Sequence, residues 1–200
     1  MKSKSTIDKP SLNARVGAVS LVIGAIALLI LTTQEDSLTP LRLLTLGIIT
    51  LGVWALCDEM GMRYPLIRAG FVAFIFAMFA RSSALVETHS DSLDRYYLLY
   101  AFALLIAIFI WSVAYLHRHR DLKIAGALGV VATIVPIIAI VFGHIALGAG
   151  AFFGVSSLLT AAEGAAMNDF SAINTIDYIF SLWNFITAWF LWRGYIKSVY

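Results

Sequence analysis

Two residues in the chain are charged where charge is expensive. Asp177 stands in an otherwise membrane-compatible stretch, residues 173–192, about four residues from its start. Arg81 stands about five residues from the end of another, residues 65–86. If the two stretches run in opposite directions across a bilayer, both charges fall at a similar depth in the same half, where opposite charges must pair or neutralise. The expectation is an Arg81–Asp177 ion pair. Asn174, Asp177, Ser181 and Asn184 fall within about an 80° arc at 100° per residue. A polar stripe on a membrane helix turns away from lipid, because each unpaired polar group in hydrocarbon costs several kcal/mol. The stripe therefore lines either a polar path with a titratable carboxylate or a set of interhelical hydrogen bonds.

A second group of chemically able residues is His144, Glu87, His89 and Glu163, with Asp91, Asp94 and Asp169, all assigned to the outer side. They are oxygen and nitrogen ligands of the kind a divalent metal takes. No two form an i, i+4 His pair or an HExxH pattern, so His144 is a weak metal candidate and no metal or cofactor is expected. Haem finds no support, because His117 and His119 lie in a loop and not on facing helices. GxSxG, P-loop, HExxH and dinucleotide-binding patterns are absent. The reading leans away from an enzyme, and no catalytic residue is assigned.

These residues are carried on a chain whose composition leaves one class. It is 60% hydrophobic and 13% charged, with a mean hydropathy of +0.87, far from soluble averages. Its apolar residues come in separated blocks of spanning length. The expected fold is an all-α integral membrane protein, a single domain over residues 1–200. Six transmembrane helices are expected at about residues 14–33, 38–57, 65–86, 95–116, 122–143 and 173–192. Residues 1–10 resemble the start of a signal peptide, but the apolar run behind them is too long for one, so it reads as a retained first span. Cys57, the single cysteine, excludes an internal disulfide.

Residues 124–162 hold no Asp, Glu, Lys or Arg. As one helix they would be roughly 58 Å long, about twice the ~30 Å hydrocarbon core. The glycines at 143, 148 and 150 mark a break, so residues 146–162 are expected to re-enter the bilayer or lie at its interface. Tyr96, Tyr97 and Tyr100 at one end of the fourth span, with Trp111 and Tyr115 at the other, read as an aromatic belt. Gly17, Ser20 and Gly24 share a face suited to close helix packing. Asp58 to Pro65 reads as a tight turn.

With the amino terminus inside and six spans, eleven of the fourteen Lys and Arg residues fall inside and eight of the twelve acids outside. The positive-inside rule then places both termini in the cytoplasm of a cell whose inner (plasma) membrane holds the protein, with a bacterial style of organisation. The basic residues of segment 117–123 fit topology and anionic headgroups better than nucleic acid. Three functions follow. A channel or transporter bundle for protons or a small solute leads. Close behind is a non-catalytic subunit, or homo-oligomer, in a larger membrane assembly. An enzyme or metal-dependent site at the outer face is third.

Overall fold

The computed structural model describes residues 10–32, 39–87, 90–117, 122–134, 136–138 and 169–196, with backbone alone at 90–94 and 169–175. Among these residues all regular structure is helical: α1 (Leu12–Thr32), α2 (Thr39–Met60), α3 (Pro65–Val86), α4 (Ser90–Leu116), α5 (Leu122–Ile138) and α6 (Asp169–Arg193). The helices α1 to α4 are long and apolar enough to cross a membrane. α5 is shorter in its described part. α6 has 25 residues, but Asp177, Ser181, Asn184 and three tryptophans lower its hydropathy and keep it out of that set. The re-entrant segment at 146–162 and the expected end of the fifth span lie outside the described residues.

Contacts close α1, α2, α3, α4 and α6 into a ring. α1 packs along α2, α3 along α4, and α6 along α1, with lighter contact between α2 and α3 and between α4 and α6. Pairings along each interface give direction. Gly17 lies against Ala55, Leu21 against Gly52 and Gly24 against Ile49, so α1 and α2 are antiparallel. Gly70 meets Trp111 while Arg81 meets Tyr97 and Tyr100, so α3 and α4 are antiparallel too. α6 runs against α1, since Gly17 meets Leu191 and Thr32 meets Asp177. α5 lies on α4 through Gly126 and Gly129, which sit on Ser112 and Leu116.

The molecule is apolar outside as well as inside. Val16, Ile23, Leu51, Val72, Phe79 and Leu182 are all exposed, as befits helices whose solvent is hydrocarbon. Lipid tails are as apolar as leucine, so burial alone does not drive these helices together; close packing and polar contacts must. A Cβ on Gly17 would stand 2.5 Å from the Ala55 Cβ, and one on Gly52 2.7 Å from Leu21 Cγ. The glycines thus set the closeness of α1 and α2.

Helix ends are satisfied locally. Ser11 caps α1, its Oγ accepting from the Ala14 N–H at 3.0 Å and its hydroxyl donating to Glu59. Glu59 therefore lies by the positive end of α1, which offsets its unfavourable place at the end of α2. α2 accordingly stays helical through Met60, and the turn expected from Asp58 shrinks to Gly61–Tyr64. There Gly61 takes φ 91° and Pro65 opens α3. α6 ends in a Schellman motif: Gly194 has φ 70°, its N–H reaches Leu191 O, and the Tyr195 N–H reaches Phe190 O at 3.0 Å.

The helices also begin earlier than hydropathy predicts. α4 starts at Ser90 and α6 at Asp169, because the polar first turns are helical although they add nothing to the apolar count. The belt expectation is corrected more sharply. Tyr100, Trp111 and Tyr115 are 1%, 0% and 1% exposed. They point into the ring with Leu104, Ala107 and Ile108, along the buried stripe of α4, and leave Tyr96 and Tyr97 half-buried.

The α1–α2 contact yields a direct test. A Cβ on Gly24 would overlap the Ile49 side chain, so Gly24→Ala should lower stability by about 1–3 kcal/mol. Ile49→Ala added to it should recover part of that loss, read as the thermal midpoint of the purified protein in detergent.

Candidate functional site

α1, α3 and α4 each bring a side chain to one carboxylate of α6. Asp177, on the inward face of α6, is 0% exposed. Arg81 Nη2 donates to its Oδ2 at 3.1 Å, and Tyr100 Oη donates to its Oδ1 at 2.5 Å. The Thr32 hydroxyl lies 3.5 Å from Oδ2, a long contact, because its single proton goes to the Leu28 carbonyl at 2.7 Å. The Arg81 guanidinium in turn lies 5.1 Å from the centre of the Tyr97 ring and 5.3 Å from that of Tyr100. Each is within the range in which a cation is drawn to a ring face. Both charges are thus neutralised, oriented and screened from hydrocarbon.

Local sequence explains each placement. Tyr97 and Tyr100 are one turn apart on α4, so they flank the same point of antiparallel α3. Thr32 ends α1, where the last carbonyls of a helix lack internal partners. Arg42, near the start of α2, reaches one of these, donating from Nη2 to Leu31 O at 3.1 Å. Arg42, Thr45, Thr32 and Arg81 line a cleft of ≈ 10 Å³, about the room one water needs.

Beyond Asp177 along α6 the interior changes character. Phe74, Trp111, Phe180 and Trp183 form an aromatic layer, with Trp111 stacked on Trp183 at 5.2 Å and Phe74 6.1 Å from Phe180. Gly70 lets α3 approach the Trp111 indole, since a Cβ there would fall 2.6 Å from Nε1. Within this layer the polar stripe continues. Ser181 and Asn184 are buried, and among the described residues there is no partner for Ser181 Oγ, for either Asn184 amide atom or for Trp111 Nε1. Farther along, Thr187 Oγ1 and Tyr115 Oη lie 3.5 Å apart. Rotation about one bond would let Ser181 reach a carbonyl one turn back, as the hydroxyls of Thr45, Thr50 and Thr133 do at 2.7–2.8 Å. The carboxamide of Asn184 needs several partners at once.

The candidate residues thus divide. Arg81 and Asp177 meet; Ser181 and Asn184 follow on the same face but hydrogen-bond to neither. Asn174 lies in the first part of α6, where backbone alone is described. Glu87 follows α3, its N–H donating to Ser83 O at 3.0 Å. His144, His89 and Glu163 lie outside the described residues. Among the described residues no three His, Cys, Asp or Glu side chains gather as metal ligands would. Sequence reasoning missed Tyr100, Thr32 and Arg42. The spacing of Tyr100, Leu104, Ala107 and Trp111 carried a signal for the first, because it marks one helix face. No family model, curated protein or solved structure matches the chain.

Two outcomes test these energetics. Removing either Arg81 or Asp177 strands the other charge, which should cost about 3–5 kcal/mol, whereas Arg81→Met with Asp177→Leu should cost far less than the sum. A double-mutant cycle of unfolding midpoints measures the coupling. Asn184→Leu, by contrast, removes buried atoms without partners among the described residues and should leave stability unchanged or raise it by about 1–3 kcal/mol, read in the same assay.

Proposed function

We propose that the chain is a six-helix bundle of a cell inner membrane, with both termini cytoplasmic, that carries protons or a proton-coupled small solute. Asp177 is its titrating group. The observation that supports this most is a fully buried carboxylate held by Arg81 and Tyr100 from two other helices, with Thr32 of a third beside it. An intramembrane acid held this way is a functional group by default. Protonation of Oδ2 removes the attraction that holds Arg81, so a proton arriving there loosens the contact between α3 and α6. The cleft beside Arg42 and Thr45 is the approach from the outer side. Ser181, Asn184 and Thr187 extend polar atoms from Asp177 over about 15 Å of helix toward the inner side. The aromatic layer of Trp111 and Trp183 narrows this route and keeps the resting bundle closed. Residues 146–162 complete the outer side as a re-entrant or interfacial segment.

A non-catalytic subunit is the second reading, favoured by a groove on the outer surface of α3 and α4. Its volume is ≈ 580 Å³, and Ala69, Ala73, Phe76, Phe102 and Ala103 line it. A helix of another membrane protein would fit there, approaching closely at the alanines.

Reconstitution in liposomes carrying an internal pH dye separates the two. Transport predicts that an imposed pH gradient collapses with the unaltered protein, and at least tenfold more slowly with Asp177→Asn at equal amounts of folded protein. Equal rates for both would exclude a route through Asp177. Absence of flux, together with co-purification of a constant set of other proteins, would favour the subunit.

A further inference from the structure

We infer that the groove between α1 and α6 is a binding site for an anionic phospholipid, its phosphate held between Arg15 and Arg193. The groove has a volume of ≈ 360 Å³ and is lined by Ala18, Val22 and Ile23 of α1 and by Phe185, Trp189 and Trp192 of α6. Its walls are almost wholly apolar, and Ile23, Trp189 and Trp192 are each 50–55% exposed. It faces the hydrocarbon and takes an acyl chain lengthwise.

What selects the headgroup is the charge at one end. Arg15 lies three and seven residues before Ala18 and Val22, so it shares their face of α1. That face is roughly 130° round the helix from the Gly17, Leu21 and Gly24 face packed on α2. Arg193 follows Trp192 on α6, and its guanidinium sits 4.5 Å from the centre of the Trp189 ring. That contact holds the charge at the lip of the groove. The two arginines are level, because a Cβ on Gly17 would lie 3.5 Å from Leu191 Cδ2. Each arginine stands two residues beyond that contact toward the same end of the bundle. Both are exposed, and no ion pair among the described residues involves either. Glu59, the carboxylate fixed nearby, is on α2 and takes the Ser11 hydroxyl.

Two guanidiniums at the mouth of an apolar groove match a phosphodiester that carries a net negative charge. Arginine binds phosphate oxygens in bidentate fashion. The amphipathic rings of Trp189 and Trp192 suit the boundary between acyl chain and headgroup. A zwitterionic lipid offers the same chain and phosphate but adds a cation that the arginines repel. The α3–α4 groove is larger but, among the described residues, has only Arg68 beside its lining at the corresponding end.

Native mass spectrometry of the full chain, released from detergent with equimolar phosphatidylglycerol and phosphatidylcholine, tests the site. The expected spectrum keeps phosphatidylglycerol adducts in preference. Each arginine near a headgroup is worth roughly a fivefold preference, so Arg15→Gln with Arg193→Gln should cut the retained anionic lipid by at least tenfold and leave phosphatidylcholine unchanged. Arg68→Gln, at the other groove, should change neither. Equal retention of both lipids by the unaltered protein would overturn the site. So would undiminished phosphatidylglycerol on the double variant, or an equal loss with Arg68→Gln, which would mean general attraction to positive charge.

Discussion

A carboxylate cannot remain charged and unpartnered in hydrocarbon, and the bundle is arranged around that constraint. Asp177 is fully buried, so its charge must be met from inside the protein. Arg81 supplies the countercharge and Tyr100 a short hydrogen bond. Arg81 is itself enclosed, and the rings of Tyr97 and Tyr100 take the place of water around it. Meeting these requirements brings α3, α4 and α6 to one point and places the end of α1 beside it. The order of the ring follows, because α6 can reach α3 and α4 at that depth only by closing the gap that α1 and α2 leave.

The remaining contacts work without a hydrophobic driving force, since the surroundings are as apolar as the interior. Glycine makes the difference between α1 and α2, where Gly17, Gly24 and Gly52 bring the backbones close enough for dense van der Waals packing. Aromatic stacking makes it between α4 and α6, where Trp111 lies on Trp183. Each kind of contact is short-ranged and shape-dependent, so the helices pair in definite registers.

Against this dense packing, Asn184 stands out among the buried side chains that find no partner in the described residues, since both its amide atoms go unmet. A buried amide with no partner works against stability, and nothing in the local helix requires it. Its alignment with Asp177 and Ser181 gives it a place in the proposed proton route, where partners arrive with transient water. The outer surface is divided in a similar way. Most of it is uniform apolar side chain, while the α1–α6 groove ends at two level arginines and so has a chemical polarity that lipid can read.

Composition and block length by themselves determined that this is a helical membrane protein, because no other structure hides backbone polar groups over such lengths. The span of α3 was legible to the residue, bounded by Pro65 and by the polar residues after Val86. That Arg81 and Asp177 would lie level was legible too, since their positions along two antiparallel helices set their heights. The partners of Asp177 other than Arg81 were not. Tyr100 has the same composition signal as a belt tyrosine, and only the rotation of α4 against α3 and α6 turned it inward. Arg42 too found its partner only in the packing, where the end of α1 beside it supplied a carbonyl. Asp58 and Glu59 looked like turn residues until Ser11 of α1 met Glu59 and α2 stayed helical through Met60. In each case hydropathy fixes how deep a residue sits, and only the packing of helices decides which way it faces and what it meets.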